Sequence, residues 1–243
     1  MIRRVAPLAL CLCLPLLPRT PLQQVQVATT EKVDFAAGGT IRFEGSVGEL
    51  NIEGWDQPQV QVTLTRSDYA DATDQAREKS KLELITIKAE KRSGTELVVT
   101  TALPHRNYWM RKVRGRTDAG MNYRVMVPRD SHLIVHHGTG DVVVYDVGGD
   151  IDATVRTGAI VVQLQDPAQY AIDARSTVGE VYSDYDGKYR TRLRMGDGFL
   201  AAATAAATGP AHRVFLRVKI GDIDIVKMGV NPIAGPQASA IGR

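Results

Sequence analysis

Apolar and polar positions alternate over much of the chain, and within residues 133–164 glycines organise the alternation. Gly140, Gly149 and Gly158 recur at a spacing of nine. Two residues after each stand Val142, Ile151 and Ile160, and four after stand Val144, Ala153 and Val162. Successive strand side chains point to opposite faces, so these columns predict one buried face repeated in every unit. Self-similarity at a short fixed period predicts a β-solenoid, each turn stacking its apolar column on the one before.

The rest of the chain extends this picture. Residues 32–36 and 40–44 flank Gly38-Gly39 and predict a hairpin. Leu50 and Ile52 alternate with polar neighbours, residues 54–58 make a turn, and Val60, Val62 and Leu64 share a face of the next strand. Over residues 69–81 the strand period gives way to helix formers, among them Ala72, Ala76, Arg77, Glu78 and Lys79, predicting one short amphipathic helix. Strands return at 82–89 and 96–102 around the turn Arg92-Ser93-Gly94, and at 123–128, which Pro128 ends. Beyond residue 164, Tyr170, Ile172 and Ala174 alternate, and residues 189–195 place Arg190, Arg192 and Arg194 on one face. Val214, Leu216, Val218 and Ile220 then run into Gly221-Asp222-Ile223, the same unit as Gly140-Asp141-Val142. The predicted class is all-β: a β-solenoid or β-helix-like stack of short strands with Gly-Asp turns, preceded by a β-rich segment with one short helix.

The N-terminal residues break the alternation. Arg3-Arg4 precedes an apolar run over residues 5–17, the plan of a secretory signal peptide. The run is too short, and too interrupted by Pro7 and Pro15, to span a membrane. The expected organisation is a signal peptide over 1–23, cleaved between 19 and 28, then a polar linker over 24–32. A β domain follows over 33–228, regular over 130–228, with a disordered tail over 229–243. Export implies the periplasm, the cell surface or the extracellular space, with no transmembrane helix in the mature chain. Both cysteines, Cys11 and Cys13, lie in the leader, so the exported chain would carry no disulfide, thiolate nucleophile or cysteine metal site. Leu10 and Leu12 stand where lipid attachment needs a small residue. Taking Arg3, Arg4 and Arg19 from 30 Lys and Arg leaves 27 against 27 Asp and Glu. The formal charge of +3 therefore belongs to the leader, and nucleic acid is not an expected partner.

Gly48-Glu49-Leu50-Asn51-Ile52 before a turn and Val60-Gln61-Val62, a strand ending in Val127-Pro128, and the repeated Gly-Asp-Val/Ile units resemble the bacterial putative adhesin family. The resemblance spans residues 33–227 and implies an exported or membrane-anchored protein with a parallel β-solenoid and no assigned activity. Its motifs are structural turns, so it brings no catalytic residue with it. Ala159 in place of aspartate, and the basic stretch 104–120, depart from the family pattern.

Candidate chemistry is sparse. Asp141, Asp150 and Asp222 sit in simple Gly-Asp turns, where aspartate caps backbone amides, and lack the paired glycines of a calcium roll. His136 and His137 are adjacent on a strand, so their rings leave on opposite faces, and His105, His132 and His212 are isolated. Residues 196–201 match a loose dinucleotide fingerprint, but no alternation of helices with strands surrounds them, and no cofactor is expected. Asp150 and Asp152 share a strand face and, with Asp146, Asp173 and Asp184, keep a polysaccharide-active enzyme as the alternative. Three or more carboxylates in one groove would favour it. Two basic surfaces remain. The stretch 104–120 sets Arg106, Arg111, Lys112, Arg114 and Arg116 around Tyr108 and Trp109, and Arg190, Arg192 and Arg194 form a column. Such surfaces suit anionic partners. The function expected is a non-enzymatic exported envelope protein, an adhesin-like scaffold or binding surface. Its contact residues would be Tyr108, Trp109, Arg111, Lys112, Arg114, Arg190, Arg192 and Arg194. The candidate partners are an envelope glycan, an anionic lipid or another envelope protein.

Overall fold

A computed structural model describes residues 22–103, 120–165, 169–192, 196–202 and 212–228. Nearly all of the leader and the whole C-terminal tail expected from the sequence lie outside these residues. In chain order the strands are β1 (Gln23–Asp34), β2 (Thr40–Val47), β3 (Glu49–Trp55) and β4 (Gln59–Ala70), followed by helix α1 (Gln75–Glu83). Next come β5 (Thr86–Lys91), β6 (Glu96–Ala102), β7 (Gly120–Pro128), β8 (His132–Thr139), β9 (Val142–Tyr145) and β10 (Ile151–Thr157). The last are β11 (Ile160–Leu164), β12 (Tyr170–Ser176), β13 (Val181–Ser183), β14 (Lys188–Arg192), β15 (Gly196–Ala201), β16 (His212–Ile220) and β17 (Ile223–Lys227). The all-β class is as predicted. The strands form two mixed sheets, the first in the order β1-β4-β7-β3-β9-β11-β17-β13 and the second β14-β15-β12-β16-β10-β8-β2-β6-β5. Their inward faces share one hydrophobic core.

Among the described residues, five strand–corner–strand units cross from the second sheet to the first through a glycine. Gly48 joins β2 to β3, Gly140 joins β8 to β9, Gly158 joins β10 to β11, Gly221 joins β16 to β17, and Gly179 joins β12 to β13. All five have φ between +111° and +140°, a region that a side chain disfavours. They also stack directly. A Cβ on Gly140 would overlap the carbonyl of Gly48, one on Gly158 that of Gly140, one on Gly221 that of Gly158, and one on Gly179 that of Gly221. The corner amides bond to the next layer, Gly140 N–H to Thr157 O at 2.9 Å and Gly158 N–H to Ile220 O at 3.0 Å. The hydrogen-bonded ladder thus continues from one sheet into the other.

The layers do not follow chain order. The β16–β17 unit lies between β10–β11 and β12–β13. The outer edge of β12 is taken by β15, antiparallel through Ala174↔Phe199, with β14 paired beyond it. Only the inner edge of β12 is left for β16 to join in parallel. The spacing of nine also resolves into two alternating corners. Gly149 lies at the opposite corner, between β9 and β10, so Ile151 belongs to the second sheet with Leu133 and Val214. Val142, Ile160 and Ile223 form a column in the first sheet. The single column predicted from the sequence is two columns, one in each sheet.

The N-terminal half departs from expectation in three places. Residues 24–32 are not a linker but part of β1, which pairs antiparallel with β4 from Gln23↔Ala70 to Asp34↔Gln59. Most of its side chains are polar and exposed, so backbone hydrogen bonds rather than apolar burial hold it. Gly38-Gly39 does not close a hairpin. β1 and β2 lie in different sheets, and the Phe35 ring packs against Gly39 where the chain crosses. The helix starts later than predicted, because β4 continues to Ala70. Its far end is anchored by Arg66, 1% exposed, which donates to the carbonyls of Leu82, Ile85 and Val27. The Leu82 carbonyl also accepts from Ile85 N–H at 3.2 Å, so the guanidinium joins β1, the end of α1 and the turn that follows it. Leu82, predicted to begin a strand, is instead the buried residue of α1.

Gly158→Ala should therefore lower unfolding free energy by about 3 kcal/mol or more, since it adds both a carbonyl overlap and a strained φ. Gly94→Ala, in a turn with open space around it, should change it by less than about 0.5 kcal/mol. Urea denaturation of the two variants measures the difference, and equal midpoints would remove the glycine column as a determinant of the fold.

Candidate functional site

The outward residues of the second sheet are polar where the inward ones are apolar, and pairing aligns them in rows across the strands. One row, read from β14 inward, is Arg190, Gly198, Arg175, Arg217, Thr154 and His136. Two residues further along β16 and β10 stand Lys219 and Arg156, both exposed. These residues line a groove of about 840 Å³. Its described walls carry five cations, Arg156, Arg175, Arg190, Arg217 and Lys219, against one carboxylate, Asp197. Gly196 and Gly198 leave part of the groove without side chains.

Two of the cations are held in place. Arg217 Nη1 donates to the carbonyls of Asp173 and Leu216 at 2.8 Å each, and its Nη2 donates to Asp173 Oδ2 at 2.8 Å. Its guanidinium carbon lies 3.7 Å from the Phe215 ring centroid, a cation–π stack. Arg175 Nε lies 3.2 Å from the other oxygen of the same carboxylate. Asp173 thus orients both arginines. Arg156, Arg190 and Lys219 have no ion-pair partner among the described residues.

Of the residues singled out from the sequence, Tyr108, Trp109, Arg111, Lys112, Arg114 and Arg194 lie outside the described residues. The stretch carrying the first five leaves the second sheet after β6 and re-enters the first sheet at β7. Arg192 is on β14, its backbone paired with Gly196. Arg190 is exposed and stands in the groove with Arg156, Arg175, Arg217 and Lys219, none of which the sequence reading selected. Their only sequence signal is an outward parity on separate strands. Nothing in the sequence pairs β12 with β16.

Of the carboxylates considered for hydrolysis, Asp146, Asp150, Asp173 and Asp184 already hold partners. Asp146 pairs with Arg129, and Asp184 accepts from Lys227 N–H at 3.1 Å and from Tyr182 O–H at 3.0 Å. Asp150 accepts from Arg213 N–H, Asp141 from Ala159 N–H and Asp222 from Glu180 N–H, each at 2.8 Å. The turn aspartates therefore cap amides of the neighbouring layer rather than of their own turn. Residues 196–201 are the strand β15 between β14 and β12, so Gly196 and Gly198 lie inside a strand instead of opening a helix as a dinucleotide site requires. Among the described residues no group of three or more His, Cys, Asp or Glu side chains is placed to hold a metal ion.

The adjacent histidines do leave on opposite faces. His136 is exposed in the groove, while His137 is 4% exposed and its Nε2 lies 2.8 Å from the carbonyl of Gly48, at the head of the glycine column. Burial holds the His137 imidazole below its ordinary pKa, outweighing the carbonyls of Gly48 and Thr139 and the charge of Asp141.

No protein-family model and no curated protein matches the chain. Among solved structures, a putative cell adhesion protein from Clostridium sporogenes is 10% identical, covering 83% of this chain and 100% of its own, with a TM-score of 0.49. A putative adhesin from Bacteroides fragilis is 11% identical over 82% of this chain and 97% of its own, at a TM-score of 0.27. Another, from Parabacteroides distasonis, is 16% identical over 64% of this chain and 61% of its own, at 0.26. At these scores the likenesses carry no weight for the function of this chain. Among the described residues no helix is long and apolar enough to cross a membrane.

The His137 site makes stability depend on pH. Its folded-state pKa lies below the unfolded value of 6.5, so the unfolded chain takes up the proton first. The stability it contributes is complete above that value and is lost as pH falls through the folded-state pKa. Unfolding free energy should drop on acidification below neutrality, with a slope from this group of at most about 1.4 kcal/mol per pH unit. His137→Asn should be less stable at neutral pH and should show a shallower dependence. Parallel curves for the two proteins in urea titrations from pH 7.5 to about 5 would exclude this origin.

Proposed function

We propose that the protein is a non-enzymatic, exported adhesin-like module, a solenoid-like stack of parallel units that presents the groove of the second sheet to anionic partners at the cell envelope. The observation that carries this reading is the set of five cations against one carboxylate among the described residues that line that groove. A concave surface of one sign focuses the field and concentrates counter-charged ligands. Arg175 and Arg217 are already oriented by Asp173, so binding would cost little further ordering of these long side chains. The apolar run behind Arg3-Arg4 supports export. The stretch with Tyr108, Trp109, Arg111, Lys112 and Arg114 is proposed as a second contact, on its composition.

The test is retention of the protein on a panel of envelope glycans, anionic lipid vesicles and neutral counterparts, at low and physiological salt, with the glycans sized afterwards. Retention on the anionic members that weakens with salt, with chain lengths unchanged, is the expected result. Shortened glycans would put the polysaccharide-active enzyme in its place, and equal retention on neutral members would remove the charge of the groove as the cause.

A further inference from the structure

The inference drawn here deepens the binding-module reading and rests on it. We infer that the groove takes an extended polyanionic glycan, sulfated or rich in uronic acids, lying across strands β14 to β8 rather than along them. Neighbouring strands are about 4.8 Å apart, so the row from Arg190 through Gly198, Arg175, Arg217 and Thr154 to His136 crosses five spacings, about 24 Å. That row has the dimension and the direction of an extended chain several sugars long.

The charge pattern is difficult to explain by stability alone. Arg175 and Arg217 are direct register partners on adjacent strands. Like charges so placed destabilise a sheet, and one carboxylate, Asp173, serves both. Lys219 and Arg156 add two further cations one pleat along, on neighbouring strands that pair at Val155↔Val218 and Thr157↔Ile220. A ligand with regularly repeated anionic groups would neutralise all of them together, as a single small anion would not.

The surroundings favour a glycan over other polyanions. Phe199 is the aromatic side chain among the described residues lining the groove, and it is 0% exposed, its ring turned into the core. Among the described lining residues the bases of a single-stranded nucleic acid would therefore find one exposed ring, the His136 imidazole at the end of the row, and no series of aromatic platforms. The site is concave, with Gly196 and Gly198 recessed beside the arginines. A chain one sugar wide can follow such a recess, whereas a planar headgroup layer meets mainly its rim. Thr154 and Thr177 add hydroxyls suited to sugar hydroxyls.

Calorimetric titration with heparin oligosaccharides and with oligogalacturonides of increasing length tests this, beside phosphatidylglycerol vesicles. Affinity for at least one oligosaccharide series should rise with length until the chain spans the row and then level off. Arg156→Gln/Arg190→Gln/Lys219→Gln removes three exposed cations that hold no ion pair among the described residues, and should weaken binding roughly tenfold or more while flattening its dependence on salt. Lys88→Gln/Lys91→Gln/Arg92→Gln, the same charge change at the far edge of the second sheet, should leave affinity within about twofold. Unchanged thermal midpoints would establish that both variants are folded. Binding that is insensitive to the first variant, or equally sensitive to the second, overturns the groove as the site while leaving the module reading in place. Vesicle binding without oligosaccharide binding overturns the glycan in favour of a membrane surface. Failure of every probe here, alongside retention on some other member of the broader panel, overturns the glycan alone; failure on both overturns the module as well.

Discussion

The close approach of one corner backbone to the next governs this structure. At Gly140 and Gly158 the carbonyl of one layer occupies the space a Cβ would need in the next, and the φ values suit only a residue without one. That contact sets the register of the layers, and parallel register then determines everything displayed on the outside. Because Gly158 and Gly221 stack, β10 and β16 pair with Ala153 against Leu216 inside and Thr154 against Arg217 outside. The corner aspartates reinforce the same register. Asp141 and Asp222 each reach over to cap an amide of the adjoining layer, so a sequence motif that looks local acts between layers.

A stack of parallel layers leaves two ends, and the chain finishes them differently. At one end β1 and β4 run antiparallel beside β7, and β5 runs antiparallel to β6, with Glu31 of β1 accepting from the Ala89 amide of β5 across the gap between the sheets. Arg66 ties α1 to this end through the carbonyls of Leu82 and Ile85. At the other end β14 and β15 fold back antiparallel against β12. Polar antiparallel edge strands limit further pairing with other chains. The same meander supplies the far wall of the groove, so the device that ends the stack also builds the proposed site.

In the proposed reading the groove sets a local cost in the sheet against a gain in recognition. Arg175 and Arg217 face each other across one strand spacing, and Asp173 offsets the repulsion only in part. Placing these cations on paired strands keeps their spacing rigid, which a loop would not. For a repeating ligand, fixed spacing is what converts scattered charge into selectivity.

Legible in the sequence alone were the all-β class, the inward-facing Val, Ile and Leu positions, the glycine corners, and the opposite orientations of His136 and His137. Each of these follows from side-chain alternation or from the local backbone freedom of glycine, and both are short-range properties. Tertiary structure decided the rest. Gly149 has the spacing of Gly140 and Gly158 but lies at the other corner, because alternation along the chain does not say which sheet a strand joins. The polar alternation of β1 reads as a linker, because its hold on β4 is through backbone groups that every residue carries. Only the insertion of β16 beside β12 brings Arg217 and Lys219 to Arg175, and with β14 to Arg190. Strand order depends on which edges remain open when distant segments meet, a long-range outcome that the period of the sequence does not encode.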